Sequence, residues 1–270
     1  MTARGFDPRR LVSQGAQVSV CSGAGLDSRA QESNLILQVE KERYLSDIAS
    51  FLAGFERFQA KYFDGQDKES LYARLRQGQN PRALVISCCD SRVDPAMLTG
   101  ADPGDMFVVR NVANLVPPYR NGAEMPGIRA DIEFAVKSLN VERIIILGHR
   151  SCGGIQALMN GEGITENNYE FIGAWVAIAR QARERVLREL PGAPPAVQAK
   201  ACEQWAISLS LDNLMSFPWI RERVEAGSLT LHGWYFDIDT GDLLGYSAET
   251  SAFVPLVPRA ASAGSMPVAH

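Results

Sequence analysis

The sequence predicts an α/β fold: a central, mostly parallel β-sheet (four parallel strands plus an antiparallel edge strand) flanked by helices, with an N-terminal helical arm. Three observations carry this. The runs "RALVIS" (82–87), "MFVVRN" (106–111) and "RIIILG" (143–148) are continuously apolar rather than alternating, as strands buried on both faces are. A segment of helical spacing separates the second run from the third, which makes a βαβ unit with parallel strands. Finally, "LTLHGWYFDI" (229–238), the turn residues "DTGD" and "LLGYS" (243–247) read as a β-hairpin that adds the antiparallel edge.

Taken in order, residues 1–35 are rich in Ser, Gly, Gln and Arg without any period, the pattern of a disordered leader. Leu45, Ile48, Leu52, Phe55 and Phe58 then recur at helical spacing, predicting an amphipathic helix that ends at Asp64-Gly65. A shorter helix over 68–77 stops at "GQNP". After the first two strands, Ile128, Ile132, Ala135, Val136 and Leu139 mark the crossover helix. Helices follow near 169–190, where Ile172, Trp175, Val176, Ala179 and Val186 share a face, and near 195–216, with Pro191-Gly192 between them. Residues 36–257 thus form one catalytic domain, and 258–270 a loose tail.

Composition narrows the function classes. With 270 residues, 46% hydrophobic and 21% charged, the chain has enough apolar content for one substantial core. A net charge of -4 with no basic stripe argues against nucleic acid. No apolar run reaches the roughly 18 residues that span a bilayer, so no membrane partner and a cytoplasmic location are expected. Arg4, Arg9 and Arg10 are interrupted by Asp7 and show no amphipathic period, which favours a disordered leader over a transit peptide. The five cysteines, Cys21, Cys88, Cys89, Cys152 and Cys202, are odd in number in a chain too large to need disulfide staples. In a reducing compartment they are core residues, metal ligands or nucleophiles.

Cys88 closes the first predicted strand, and His149 with Cys152 follow the third in "LGHRSCGG". Ligands collect at the C-terminal strand ends of open parallel sheets, and two sulfurs with one imidazole suit three tetrahedral positions around Zn²⁺. Asp90 stands close enough in sequence to close the zinc shell, but Arg92 can draw its carboxylate away through paired charge-assisted hydrogen bonds. That leaves a fourth position for water, whose pKa zinc lowers to about 7. Backbone N–H groups at Gly153 and Gly154, at a helix start, favour an anionic product or thiolate.

Other readings stand beside this one. Cys88 and Cys89 are equally at home as buried thiols at a strand end, and Asp90 with Arg92 as a surface ion pair worth about 0–1 kcal/mol. A thiol nucleophile, Cys152 activated by His149, is a different enzyme class. Phosphate loops fail on spacing, since "GHRSCGG" has no Gly-Lys-Ser/Thr ending. Cys89 and Cys202 are expected to be packing residues, Arg110 and Asn111 structural, and His232 a packing or solvent-facing strand residue.

These residues resemble the β-class carbonic anhydrases. The matching pieces are "CCDSR", "PGDMFVVRNVANLV", "GHRSCGG" and "LHGWYFDI", over about residues 47–250. The resemblance implies one Zn²⁺ per subunit held by Cys88, His149 and Cys152, with Asp90 and Arg92 as the catalytic dyad and Asp90 a metal ligand only in a closed state. It implies zinc-bound hydroxide adding to CO₂ to give bicarbonate and a proton, in a homodimer or homotetramer. Val85 and Phe236 stand where members with a closed resting state carry tryptophan and tyrosine, which favours the open form. Asp102 and Phe134 replace a glutamine and a tyrosine common in the open form. Val112 and Ala113 are candidates to line the CO₂ pocket. The alternatives are the same zinc site acting on CS₂ or COS, and a non-catalytic zinc protein with Asp90 as permanent fourth ligand.

Overall fold

The computed structural model describes residues 48–63, 71–120, 126–161 and 170–258. The expectations for the leader, for Cys21 and Leu45, and for the tail beyond Pro258 lie outside the described residues. The chain divides into two compact units, Met1–Tyr72 and Ala73–His270.

In the first unit, α1 (Ala49–Tyr62) is the predicted amphipathic helix. Phe58 gathers the rings of Tyr62 and Tyr72 at centroid distances of 5.1 and 5.6 Å, whereas Phe51 is 77% exposed. A short helix, α2 (Leu71–Leu75), runs across the division at Tyr72 and stops before Gly78, whose φ of 130° suits glycine alone.

The second unit is built on a six-stranded sheet of order β2-β1-β3-β4-β5-β6. Its strands are β1 (Ala83–Cys88), β2 (Met106–Asn111), β3 (Arg143–His149), β4 (Thr230–Asp237), β5 (Asp242–Ser247) and β6 (Ala252–Pro255). The first four run parallel, with Ala83 opposite both Met106 and Arg143, and Arg143 opposite Thr230; β4–β5 and β5–β6 are antiparallel. The edge expected at 243–247 is therefore covered by β6, a four-residue strand too short to announce itself by periodicity. β1 is buried along its whole length, as its sequence predicts. β2 departs from that expectation: it is the outer strand, and Val108 is 41% exposed.

Alternation along the strands divides the core. Leu84, Ile86, Ile144, Ile146 and Tyr235 pack with Ile128 and Ile132 of α4 (Pro126–Glu133), with Ile207 and Leu214 of α8 (Pro195–Met215), and with Ile220 of α9 (Pro218–Glu225). Val85, Val93, Ile145 and Leu147 form a separate cluster joined by Trp234 and Phe236. The crossover helix ends in a π-turn, Phe134–Ser138, and the helix expected over 169–190 is broken by a 3₁₀ turn at Ala177–Ala179 into α6 (Ile172–Val176) and α7 (Arg180–Glu189). Two short helices follow strands: α3 (Pro95–Thr99), capped by the Asp94 carboxylate on the Met97 N–H at 3.0 Å, and α5 (Gly153–Met159). Among the described residues no helix is long and apolar enough to cross a membrane.

Candidate metal centre

Because the chain passes from β1 outward to β2 and then back across to β3, the carboxyl ends of β1 and β3 diverge into a crevice between neighbouring strands. Such a switch point is where open α/β sheets bind ligands. Cys88 is the last residue of β1 and His149 the last of β3, so the topology brings the two motifs together. Cys152 arrives through a tight turn in which Ser151 adopts a left-handed φ of 57°, and it stands at the N-cap of α5.

The side-chain donors of Cys88, His149 and Cys152 lie within 4.8 Å of one another, and all three residues are buried. The two sulfurs are 3.8 Å apart. Two thiolates about 2.3 Å from a common tetrahedral centre are separated by about 3.8 Å, so the pair is already spaced for such an ion. His149 Nδ1 lies 2.9 Å from the Arg150 carbonyl oxygen. A carbonyl only accepts, so Nδ1 carries the hydrogen and Nε2 presents its lone pair. Buried Nε2 has no hydrogen-bond partner; an orphaned acceptor beside two sulfurs fits a divalent cation that takes mixed nitrogen and sulfur ligands.

Electrostatics agree with that donor set. The Cys152 thiol, by hydrogen bonding to Cys88, brings the Cys88 pKa down to about 4 despite burial, with His149 adding to the effect. Cys152 itself is pushed up by its hydrogen bond to Cys88 and by burial, although the N–H groups of Ile155 and Gly154 favour its thiolate. Burial opposes a charge on His149, but the Cys88 sulfur outweighs it and the net direction is upward.

Asp90 faces this cluster without joining it, its Oδ2 lying 3.8 Å from His149 Nε2. Arg92 holds it in place: Nε donates to Oδ1 at 2.9 Å, Nη2 to Oδ2 at 2.7 Å, and the Arg92 backbone N–H to Oδ1 at 3.0 Å. The Arg92 guanidinium keeps the Asp90 carboxyl well below the usual carboxylate range. The expected pair is therefore formed, bidentate as the two-residue spacing allows.

Arg110 has a more specific structural role than its sequence suggested. Its Nε donates to the Cys88 carbonyl at 3.1 Å, and Nη2 to those of Asp90 and Val93 at 2.8 Å each. The loop carrying Cys88, Asp90 and Arg92 is wrapped around this one guanidinium. Cys202 is a buried packing thiol, as expected, whereas Cys89 departs from that expectation: it lies exposed just past the end of β1, outside the donor cluster. Ala113 shares a buried apolar cluster with Cys88 and Cys152, and Val112 packs against that cluster. Val85 and Phe236 share one apolar cluster and bring no hydrogen-bonding group to it. Phe134 is half-exposed, stacking obliquely on Phe107 at 5.9 Å, and the Asp102 N–H donates to Asp105. His232 sits 2.9 Å from the Thr230 hydroxyl on β4, away from the cluster. Sequence reasoning missed Glu203, a buried carboxylate on α8, and Tyr235, its partner on β4. A lone glutamate in a helix and a tyrosine in a strand give no motif by which to find them.

The chain is similar to known proteins. Residues 83–243 match the carbonic anhydrase family. A relative from Arabidopsis thaliana, described as beta carbonic anhydrase 5, chloroplastic, is 44% identical over 177 residues, 66% of this chain and 57% of its own length. The chain thus spans rather more than half of that relative. The solved structure of the β-carbonic anhydrase CcaA superposes with a TM-score of 0.72 at 31% identity, covering 79% of this chain and 94% of that one. One of two tetrameric β-carbonic anhydrases from Sordaria macrospora gives 0.62 at 28% identity, covering 77% and 98%. Paired metal-ligand motifs brought together at one switch point, on a sheet shared with these enzymes, make the chain a member of the β-class carbonic anhydrase family.

Proposed function

We propose that the protein catalyses the reversible hydration of CO₂ to bicarbonate and a proton, with one Zn²⁺ per subunit held by Cys88, His149 and Cys152. The carrying observation is the arrangement of the three buried donors around a position that Asp90 faces but does not occupy. Zinc supplies Lewis acidity, which makes a water nucleophilic near neutral pH.

The rest falls to the protein's own side chains. The two cysteines and His149 fix where the ion sits, and the Arg150 carbonyl sets the imidazole tautomer. Arg92 keeps both Asp90 oxygens engaged, which leaves the fourth ligand position to solvent. An Asp90 carboxylate so held is an acceptor for a solvent proton on that side, and it orients the attacking oxygen. Val112 and Ala113, in the apolar cluster that holds both cysteines, offer an apolar wall suited to an uncharged substrate. An ion pair that engages both Asp90 oxygens speaks against its being a permanent fourth ligand.

The exposed rings of α1 fit assembly into a homo-oligomer, since Phe51 and Phe55 are 77% and 56% exposed and the Sordaria macrospora relatives are tetrameric. Stopped-flow CO₂ hydration with metal analysis tests the activity. Stoichiometric zinc with no hydration between about pH 7 and 9 overturns it.

A further inference from the structure

The peptide joining Ser151 to Cys152 is gripped from both sides. Its carbonyl oxygen accepts from Arg92 Nη2 at 3.1 Å, and its N–H donates to Glu203 Oε1, also at 3.1 Å. Glu203 comes from the middle of α8 and is only 3% exposed. Its second oxygen accepts from the hydroxyl of Tyr235, itself fully buried on β4, at 2.8 Å. These hydrogen-bond donors are neutral. A buried carboxylate without a paired cation is costly, and an apolar side chain of similar volume would pack there more cheaply. Burial duly pushes the Glu203 pKa upward, with the Tyr235 hydroxyl and the Cys152 N–H acting against it.

What Glu203 holds has a strained neighbour. Ser151 is left-handed at φ 57°, a conformation that costs a non-glycine residue about 1 kcal/mol or more and persists only where its surroundings fix it. Turning the 151–152 peptide would break both of the hydrogen bonds that hold it, the one to Arg92 and the one to Glu203.

We infer that Glu203, supported by Tyr235, is a positioning residue: by fixing the Ser151–Cys152 peptide it presents Cys152 to the metal and anchors Arg92 in its pair with Asp90. The second half rests on the reading of that pair, given above, as the device that keeps the fourth position open. Neither residue belongs to the cluster of candidate metal donors.

The test compares Glu203→Leu, Glu203→Gln and Tyr235→Phe with the parent in the full chain, using Arg92→Ala as reference. Zinc affinity is read by chelator competition, the fourth ligand by the visible absorption of the cobalt(II)-loaded protein, and folding by the melting temperature of the metal-free form. Glu203→Leu is expected to weaken zinc binding by about 10-fold or more, the range for outer partners of metal ligands, and to move the cobalt spectrum toward that of Arg92→Ala. Glu203→Gln keeps a carbonyl acceptor for the Cys152 N–H and recovers most of the lost affinity. A folded Glu203→Leu protein with parental zinc affinity and cobalt spectrum overturns the proposal, as does a Gln variant as impaired as the Leu one. Where Glu203→Leu does not fold, Tyr235→Phe decides: weaker zinc binding supports the role and parental binding overturns it. Arg92→Ala with a parental cobalt spectrum sinks the reading of the Asp90–Arg92 pair itself, whatever Glu203 does. A shifted spectrum there beside a parental one for Glu203→Leu sinks only the present inference.

Discussion

Gly153 and Gly154 open α5 side by side, yet an added methyl group meets different surroundings at each. A Cβ at Gly154 would lie 2.6 Å from Val112 Cγ1 and 3.0 Å from Ala113 Cβ, whereas one at Gly153 meets nothing within 4 Å. Carbon atoms attract best at about 3.5–4.0 Å, so Gly154→Ala must push α5 off the Val112–Asn114 turn by roughly 0.5–1 Å. Neither neighbour yields alone. Val112 is β-branched and stiff at χ1, and Ala113 moves only with a backbone already at φ 64°. Overpacking of this kind costs about 1–3 kcal/mol, while alanine returns at most about 1 kcal/mol of helix propensity. At Gly153 only the propensity gain operates. The two variants should therefore differ by roughly 1–3 kcal/mol, or about 2–10 °C in melting temperature for a chain of this size. Calorimetry of the metal-free proteins measures the difference. Since α5 begins at Cys152, chelator competition should also find zinc held more weakly by Gly154→Ala. Equal melting temperatures and equal zinc retention would refute the idea that the approach of α5 to that turn places the third ligand.

Four further outcomes test other parts of the site. Cys88→Ser should lose zinc, whereas Cys89→Ser, altering an exposed thiol, should keep both zinc and activity; elemental analysis with a hydration assay separates them. Arg92→Ala should retain zinc but lose about tenfold or more in neutral-pH hydration, because about 1.4 kcal/mol of lost restraint on Asp90 is a tenfold population shift toward the metal; undiminished activity contradicts the proposed gate. The Asp90 pKa is lowered by Arg92, so the pair's favourable contribution is complete above the ordinary carboxyl value of about 3.9 and fades only as pH falls through the lower folded value. Carboxyl ¹³C NMR should show Asp90 ionised down through pH 4 in the parent and titrating higher in Arg92→Ala. Arg110→Lys keeps the charge but not the planar fork that reaches the carbonyls of Cys88, Asp90 and Val93; chelator competition should show weaker zinc binding, and parental affinity would show that the loop holds its shape without it.

Much of the site was legible before any coordinates, because its chemistry is written in short local spacings. Asp90 and Arg92 can pair across two residues, and His149 and Cys152 lie a single turn apart. The strands were legible where both faces are covered, as in β1, and misread where one edge is open, as at Val108. β6 escaped because four residues carry too little periodicity, and the break at Ala177–Ala179 because an apolar stripe continues across it.

The sequence by itself determined the donor types, their spacing within each motif and the parallel character of the strands that bear them, since each is a property of a few consecutive residues. Only the tertiary structure decided what depends on distance along the chain. Strand order placed β1 beside β3, which set two sulfurs separated by 64 positions at 3.8 Å. Helix α8 then carried Glu203 under the Ser151–Cys152 peptide, a contact across 51 positions. The physical reason is that hydrogen bonds and packing act on proximity in space. A local pattern names the groups able to bind or ionise, and the fold determines which of them meet.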